Sequence, residues 1–336
     1  MKLNRNSKTD FYRVFINYLL GPLLFAWLSW SIYNEIKNQP DIGKAWLQIQ
    51  DSFSSKLLLN LLAVIGLMFV NWAIEARKWQ LAVKPIQPVS FLKSFRAVLS
   101  GVSFSVSTPN RVGEYLGRVL YMEEGNRLRT IAVTVVSSMS QLIVTLVMGL
   151  AGLIILKPLI EQQQLLSPVW LLVLIYGVVA AIVLLLLFYF RLSWLARWIV
   201  RISFLKKYSY LIEAVGEFDN PVLVRMLGLS LLRYSVFILQ YYLLYLFFDV
   251  EISWWACCWT VSVSFLLMAV IPTFAIAELG IKGKVALLIT GLYSSNKAGI
   301  FFATAGIWFI NLVIPAILGS LLILGLKKIY TYKKPG

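Results

Sequence analysis

The sequence has no histidine and only two cysteines in 336 residues. The first absence removes mechanisms that relay a proton through imidazole and metal sites built on histidine nitrogens. The cysteines, Cys257 and Cys258, are neighbours inside an apolar run and offer no disulfide framework. Charge is scarce too, at 14% of residues, against about 25% in a soluble globular protein. A chain with 60% hydrophobic residues cannot hide that surface in one water-facing fold of this size. Nor does it carry a nucleotide loop of the Walker type.

What is present is a series of apolar runs. A bilayer crossing needs about 20 mostly apolar residues. Runs of that kind predict helices over 12–33, 56–76, 130–156, 168–190, 222–248, 253–271 and 298–325. The first follows a basic stretch, Lys2 to Arg13. It is long for a signal-peptide core and lacks a small-residue cleavage site, so it reads as a membrane helix. The expected fold is an all-α integral membrane protein, a polytopic helix bundle of seven to eight spans forming one membrane domain over 1–336.

The net charge of +16 points to anionic membrane lipids and not to nucleic acid, because the basic residues sit between the apolar runs. Residues 1–13, 77–96, 118–129, 191–207 and 327–334 hold most of the lysines and arginines. The intervening 34–56, 157–167, 249–252 and 293–297 hold few. The positive-inside rule then places both termini in the cytoplasm.

Two regions resist reading as simple spans. Residues 89–128 have an apolar stretch broken at Ser107-Thr108-Pro109-Asn110-Arg111, and 272–292 open on Pro272 and carry Glu278, Lys282 and Lys284. Both read as broken or re-entrant segments, entering from opposite sides. Opposed broken elements predict an inverted repeat with halves 1–165 and 166–336. Residues 193–218 carry Trp194, Trp198 and Ile202 at helical spacing, with Arg197 and Arg201 on another face. That is an interfacial amphipathic helix, or a cytosolic loop helix.

The broken segments hold the candidate chemistry. Thr108 is placed to cap a helix with Pro109 at its first position. Arg111, Glu114 and Arg118 then share one face, with Gly113 and Gly117 on an adjacent strip that admits a close neighbour. Two arginines beside a helix start suit a phosphate. The same residues also read as a structural Glu–Arg pair that pins a hairpin. In the second segment Pro272 opens a helix in which Glu278 precedes Lys282 by four, as Glu114 precedes Arg118, with Gly280 between. A third cluster, Asn71 to Trp79, holds Glu75 and Arg77 as secondary candidates, with Lys78 and Trp79 expected as interface anchors. Arg233, deep in its span, is expected to face protein or a cavity, and Asn311 with Pro315 to kink the last helix.

The segment from Thr108 to Glu114 resembles the Pro-x-Arg-x-Gly-Glu signature of the lysylphosphatidylglycerol synthetase/flippase transmembrane family. Arg77 and Trp79 are similar to that family's second-helix ending, and Pro272 to Lys284 resembles its later re-entrant segment. There Thr273-Phe274-Ala275 stands where the family has glycines. The resemblance spans nearly the whole chain and covers the family's membrane part only. The sequence ends at Gly336 without the soluble synthetase domain, so aminoacyl transfer is not expected.

The resemblance implies a flippase-like translocator of a phospholipid or lipid-linked substrate in a prokaryotic cytoplasmic (inner) membrane, and the repeated Pro…Glu…cation pattern points to Arg111, Glu114, Arg118, Glu278 and Lys282 as the substrate-binding residues. Pro109, Gly113, Gly117, Pro272 and Gly280 would shape the broken helices. No cofactor and no metal are expected. Two alternatives stand beside this reading. One is a membrane-embedded transferase using acidic residues such as Asp41 and Asp51. The other is a non-catalytic scaffold for a lipid-modifying partner enzyme.

Overall fold

The computed structural model describes residues 57–106, 108, 112–191, 214–271 and 275–332, with separate positions between 30 and 53. The expected helix over 12–33 falls almost wholly outside the described residues. So do Pro109, Arg111 and Pro272, and most of 193–218.

The fold is an all-α bundle. Its elements are α1 (Leu58–Val83), α2 (Phe91–Val106), α3 (Gly113–Val119), α4 (Arg127–Gln162), α5 (Pro168–Phe190), α6 (Asn220–Phe247), α7 (Trp254–Val270), α8 (Ala275–Thr290) and α9 (Lys297–Trp308). A π-helical segment, Phe309–Val313, then joins α9 to α10 (Ile314–Tyr332). Among the described residues, five helical stretches are long and apolar enough to cross a membrane: Leu58–Val83, Glu124–Gln162, Pro168–Phe190, Asn220–Phe247 and Lys297–Ile323.

Many hydroxyls in these spans bond to the backbone of their own helix, as an apolar surrounding favours. In α4, the hydroxyls of Thr130, Thr134, Ser138 and Thr145 each donate to the carbonyl four residues back. The π-helical segment has a local cause. Pro315 has no N–H to return to the carbonyl of Asn311, and its ring crowds that carbonyl, so the turn before it widens.

α1 and α6 pack along one another more extensively than any other pair, and they run antiparallel. Gln240 donates to the Val64 carbonyl at one level, Arg233 to Asn71 at the next, and Lys78 to Ser230 beyond it. Around this pair lie two helical hairpins, α2–α3 and α7–α8. The base of the first is at the C-terminal end of α1, where Gln87 accepts from the Glu123 N–H at 3.1 Å. The base of the second is at the C-terminal end of α6, where Asn296 donates to the Phe248 and Asp249 carbonyls. Because α1 and α6 are antiparallel, the two hairpins open toward opposite ends of the bundle.

Glycines let these elements close. A Cβ on Gly113 would collide with the Phe104 carbonyl, and one on Gly117 with the backbone of Ser100 and Gly101. The arms of the first hairpin therefore touch backbone to backbone. Thr108 Oγ1 accepts from the Gly113 N–H at 2.7 Å, but α3 starts at Gly113 with Val112 at its N-cap, so Thr108 does not hold the N-cap position expected of it.

A second expectation is corrected. Helix α1 does not end near residue 76 but continues to Val83, and Lys78 and Trp79 are not interface anchors. Both are buried, and the Trp79 indole N–H donates to Thr134 Oγ1 at 3.1 Å. The cluster closes against α4 and α6 instead of facing a membrane surface.

Candidate functional site

Asn71, Glu75 and Lys78 recur at four- and three-residue spacing and so line one face of α1. That face meets α3 and α6. Glu75, 5% exposed, is the hub. Its Oε1 accepts from Arg118 Nη2 at 3.0 Å. Its Oε2 lies 2.9 Å from Lys78 Nζ and accepts from Arg233 Nη1 at 3.0 Å. A buried carboxylate loses its hydration and needs such compensation, and three cations supply it. Arg118 also pairs with Glu114, one turn earlier on α3. It makes both contacts through Nη2, leaving its buried Nε and Nη1 without a protein partner among the described residues.

Arg233 connects this network to open space. Its Nε donates to Asn71 Oδ1 at 2.7 Å, and its guanidinium lies over the Trp72 and Phe237 rings at 5.1 and 5.4 Å. It also lines a cavity of about 600 Å³ bordered by α1, α4, α6, α7, α8, α9 and the π-helical segment. Glu278 and Lys282 line the same cavity from α8, paired at 2.7 Å. Volumes of this order suit a small ligand or a lipid head group. Much of the remaining lining is aromatic and aliphatic, including Phe265, Tyr241 and Ile307.

The sequence candidates thus separate into three groups. Glu278, Lys282 and Arg233 meet at one cavity. Glu75, Glu114 and Arg118 form the ionic network behind its wall, joined to it through Arg233. Arg77 stands apart: it is exposed and donates to Gln80 at 2.5 Å on its own helix. Gly280 is buried in α8. Of the acidic residues considered for a transferase, Asp51 is exposed and Asp41 lies outside the described residues. Among the described residues, no group of three His, Cys, Asp or Glu side chains is placed to hold a metal ion.

Two repeated devices therefore define the molecule: opposed helical hairpins, and a carboxylate–cation pair at four-residue spacing on the second arm of each. A family model described as the lysylphosphatidylglycerol synthase TM region matches residues 18–319. The chain belongs to this family. No curated protein matches the chain. The match takes in both hairpins, the Glu75 hub and the cavity, so these features belong to the lysylphosphatidylglycerol synthase TM region as this chain carries it.

Some cavity residues carried no separate signal in the sequence. Gln141 is one amide in a long apolar helix, and Trp72 and Trp308 resemble belt tryptophans. Asn311 was legible as a kink marker and also proves to line the cavity. The spacing of Asn71, Glu75 and Lys78 was the available sign that this face of α1 is internal.

Proposed function

We propose that the chain moves a phospholipid or lipid-linked substrate between membrane leaflets. The observation that carries this reading is the meeting of Arg233, Glu278 and Lys282 at one cavity inside an apolar helix bundle. Ionisable side chains at membrane depth are costly and are commonly kept for a substrate path. In this reading Arg233 and Lys282 face the head-group phosphate, and Glu278 orients Lys282. Glu75, Glu114 and Arg118 hold Arg233 in place and fix the first hairpin against α1. Family membership supports a lipid substrate, and the bundle supports a membrane location.

The same reading completes the architecture. The protein is one membrane domain over 1–336, with seven to eight spans and halves 1–165 and 166–336 arranged as an inverted repeat. Each half contributes a re-entrant hairpin, and α1 and α6 are the equivalent spans before them. In this reading the α1 C-terminal end and both termini face the cytoplasm, which the basic residues support, and the domain lies in the cytoplasmic membrane of a prokaryotic cell, which family membership supports. Head groups would pass between the hairpins while acyl chains stay in lipid, in the manner of transporters whose broken helices meet at a central site.

The test is leaflet exchange of fluorescent phospholipids in liposomes holding purified protein. Exchange should exceed that of protein-free liposomes and fall to the background rate with Arg233→Gln. Wild-type protein that leaves exchange at background for anionic, neutral and cationic head groups would sink the translocation reading.

A further inference from the structure

Helix α4 and the last span, Lys297–Tyr332, are equal in length and repeat one plan. Thr134, Gln141 and Gly149 of α4 recur at the same spacing as Thr304, Asn311 and Gly319. Each of these glycines seats one hairpin of the bundle. A Cβ on Gly149 would strike Leu266 of α7, and one on Gly319 the Leu99 carbonyl of α2. The two spans differ between amide and glycine. Where α4 has Thr145, the last span has Pro315, and the π-helical segment Phe309–Val313 lies just before it. Helix α4 is α-helical through the matching stretch. In the π-helical segment the Ile314 N–H donates to the Phe309 carbonyl, five residues back. Such a bond encloses one residue more than an α-helical bond, so the last span carries a surplus residue.

Both ends of the span are held, which traps the surplus between them. Asn296 caps α9 by accepting from the Gly299 N–H at 2.9 Å, and a Cβ on Gly299 would strike the Phe248 carbonyl. At the other end, the Ser103 and Ser320 hydroxyls are hydrogen-bonded at 2.6 Å beside the Gly319 seat. Helix α9 thus packs with α6 and α8, and α10 with α2. Pro315 lacks the N–H of an α-helical turn and bars the surplus from moving C-terminally. Toward the N-terminus lies Gly306, a weak helix former whose Cβ position meets nothing closer than Leu244 at 3.3 Å. When a π-helical turn moves along a helix with fixed ends, each residue it passes takes the angular place of its predecessor, a turn of about 100° and a shift of about 1.5 Å. Trp308 would take the place of Ile307, and Phe309, now 51% exposed, the place of Trp308. Ile307 and Trp308 both line the cavity. The Trp308 indole N–H is buried without a hydrogen-bond partner among the described residues. That unmet donor raises the energy of the observed register and brings a second one closer to it.

We propose that the π-helical segment is a movable joint. Its wide turn migrates between Phe309–Val313 and the turn at Gly306, exchanging Trp308 for Phe309 in the cavity wall while α9 and α10 stay seated on their hairpins. The wall changes shape, and Arg233, Glu278 and Lys282, which stand on α6 and α8, keep their places. What the motion serves, passage of a head group along this wall, rests on the translocation reading; the joint itself does not.

The test removes the surplus residue. Deleting Phe309 lets the segment close as a plain α-helix with both ends in register, whereas Phe309→Ala keeps the residue count. Hydrogen–deuterium exchange of the full chain in phosphatidylcholine nanodiscs is followed over 304–314 and over the matching α4 stretch, 134–144, with leaflet exchange of fluorescent phospholipids measured in parallel. In wild type and in Phe309→Ala, amides of 304–314 should exchange at least about tenfold faster than those of 134–144. The deletion should fold, slow 304–314 to the α4 rate, and lower leaflet exchange at least about tenfold. Deleting Met139, the matching residue of α4, should abolish folding, because it takes Gly149 out of register with Leu266. Wild-type amides as slow as those of α4 would overturn the joint, without recourse to any variant. So would a Phe309 deletion that unfolds the protein as the Met139 deletion does, since the segment would then hold no surplus. Slowed amides with unchanged leaflet exchange would overturn the assignment of the motion to head-group passage. Fast amides that the deletion slows, in a protein that exchanges no lipid, would keep the joint and remove translocation.

Discussion

Arg233 Nη1 lies 3.0 Å from Glu75 Oε2, joining α6 to α1 across 158 positions of sequence. The contact ties the cavity-lining guanidinium to a carboxylate that also holds Lys78 and Arg118. Removing the carboxylate leaves three cations crowded without their counter-charge. Glu75→Gln should therefore destabilise the fold by about 3–5 kcal/mol, the usual cost of breaking a buried pair from one side. Thermal unfolding in detergent reads this directly. Adding Arg233→Gln should recover part of the loss, because one stranded charge goes with it, and a double-mutant cycle would show the coupling. Unfolding of Glu75→Gln at the wild-type temperature would mean the hub does not hold the bundle.

The first hairpin depends on close backbone approach. A Cβ on Gly117 would strike Ser100 and Gly101, whereas one on Gly125 meets nothing within 4 Å. Gly117→Ala should cost about 1–3 kcal/mol as overpacking, and Gly125→Ala should be near neutral. Yield of monodisperse protein and its unfolding temperature compare the two. Equal behaviour would show that the arms of the hairpin can separate without penalty.

Neighbouring basic residues on α1 should behave in opposite ways. Arg77→Ala removes an exposed side chain bonded to Gln80 and should change stability by no more than about 0.5 kcal/mol. Lys78→Ala removes a buried cation 2.9 Å from Glu75 and bonded to Ser230, and should cost about 3 kcal/mol or more. Chemical denaturation of both variants decides the matter. A larger effect from Arg77→Ala would contradict the burial of Lys78.

That pair also shows where sequence reading stops. The basic, tryptophan-containing end of α1 has the composition of a membrane anchor, and composition does not say which way each side chain turns. Direction is set by register: Asn71, Glu75 and Lys78 share a stripe that must face protein, which sends Arg77 outward. Helices α5, α6 and α7 were legible nearly residue for residue, because long apolar runs bounded by turn residues leave little choice. The carboxylate–cation pairs on α3 and α8 were legible because four-residue spacing is local. The contact of Arg118 with Glu75 and the partners of Arg233 were not, since they depend on which spans lie side by side. The cavity was hidden for the same reason, as six different helices contribute to its wall.

The pair of Glu278 and Lys282 offers a way to separate scaffolding from substrate handling. They lie 2.7 Å apart on one helix and line the cavity together. Lys282→Gln should lower leaflet exchange by removing a cation from the head-group phosphate, and should also cost stability because the buried Glu278 loses a cation 2.7 Å away. Exchanging the charges, with Glu278→Lys and Lys282→Glu together, preserves a pair at the same spacing. If the pair only braces α8, the exchanged protein should be both stable and active. If the cation at 282 meets the phosphate, the exchanged protein should keep most of its unfolding temperature and lose exchange, because a carboxylate now stands where the phosphate must approach. The second outcome is expected, since the exchange keeps the net charge of the cavity wall but moves its cation from position 282 to position 278. Full activity of the exchanged protein would move the head-group contact away from α8.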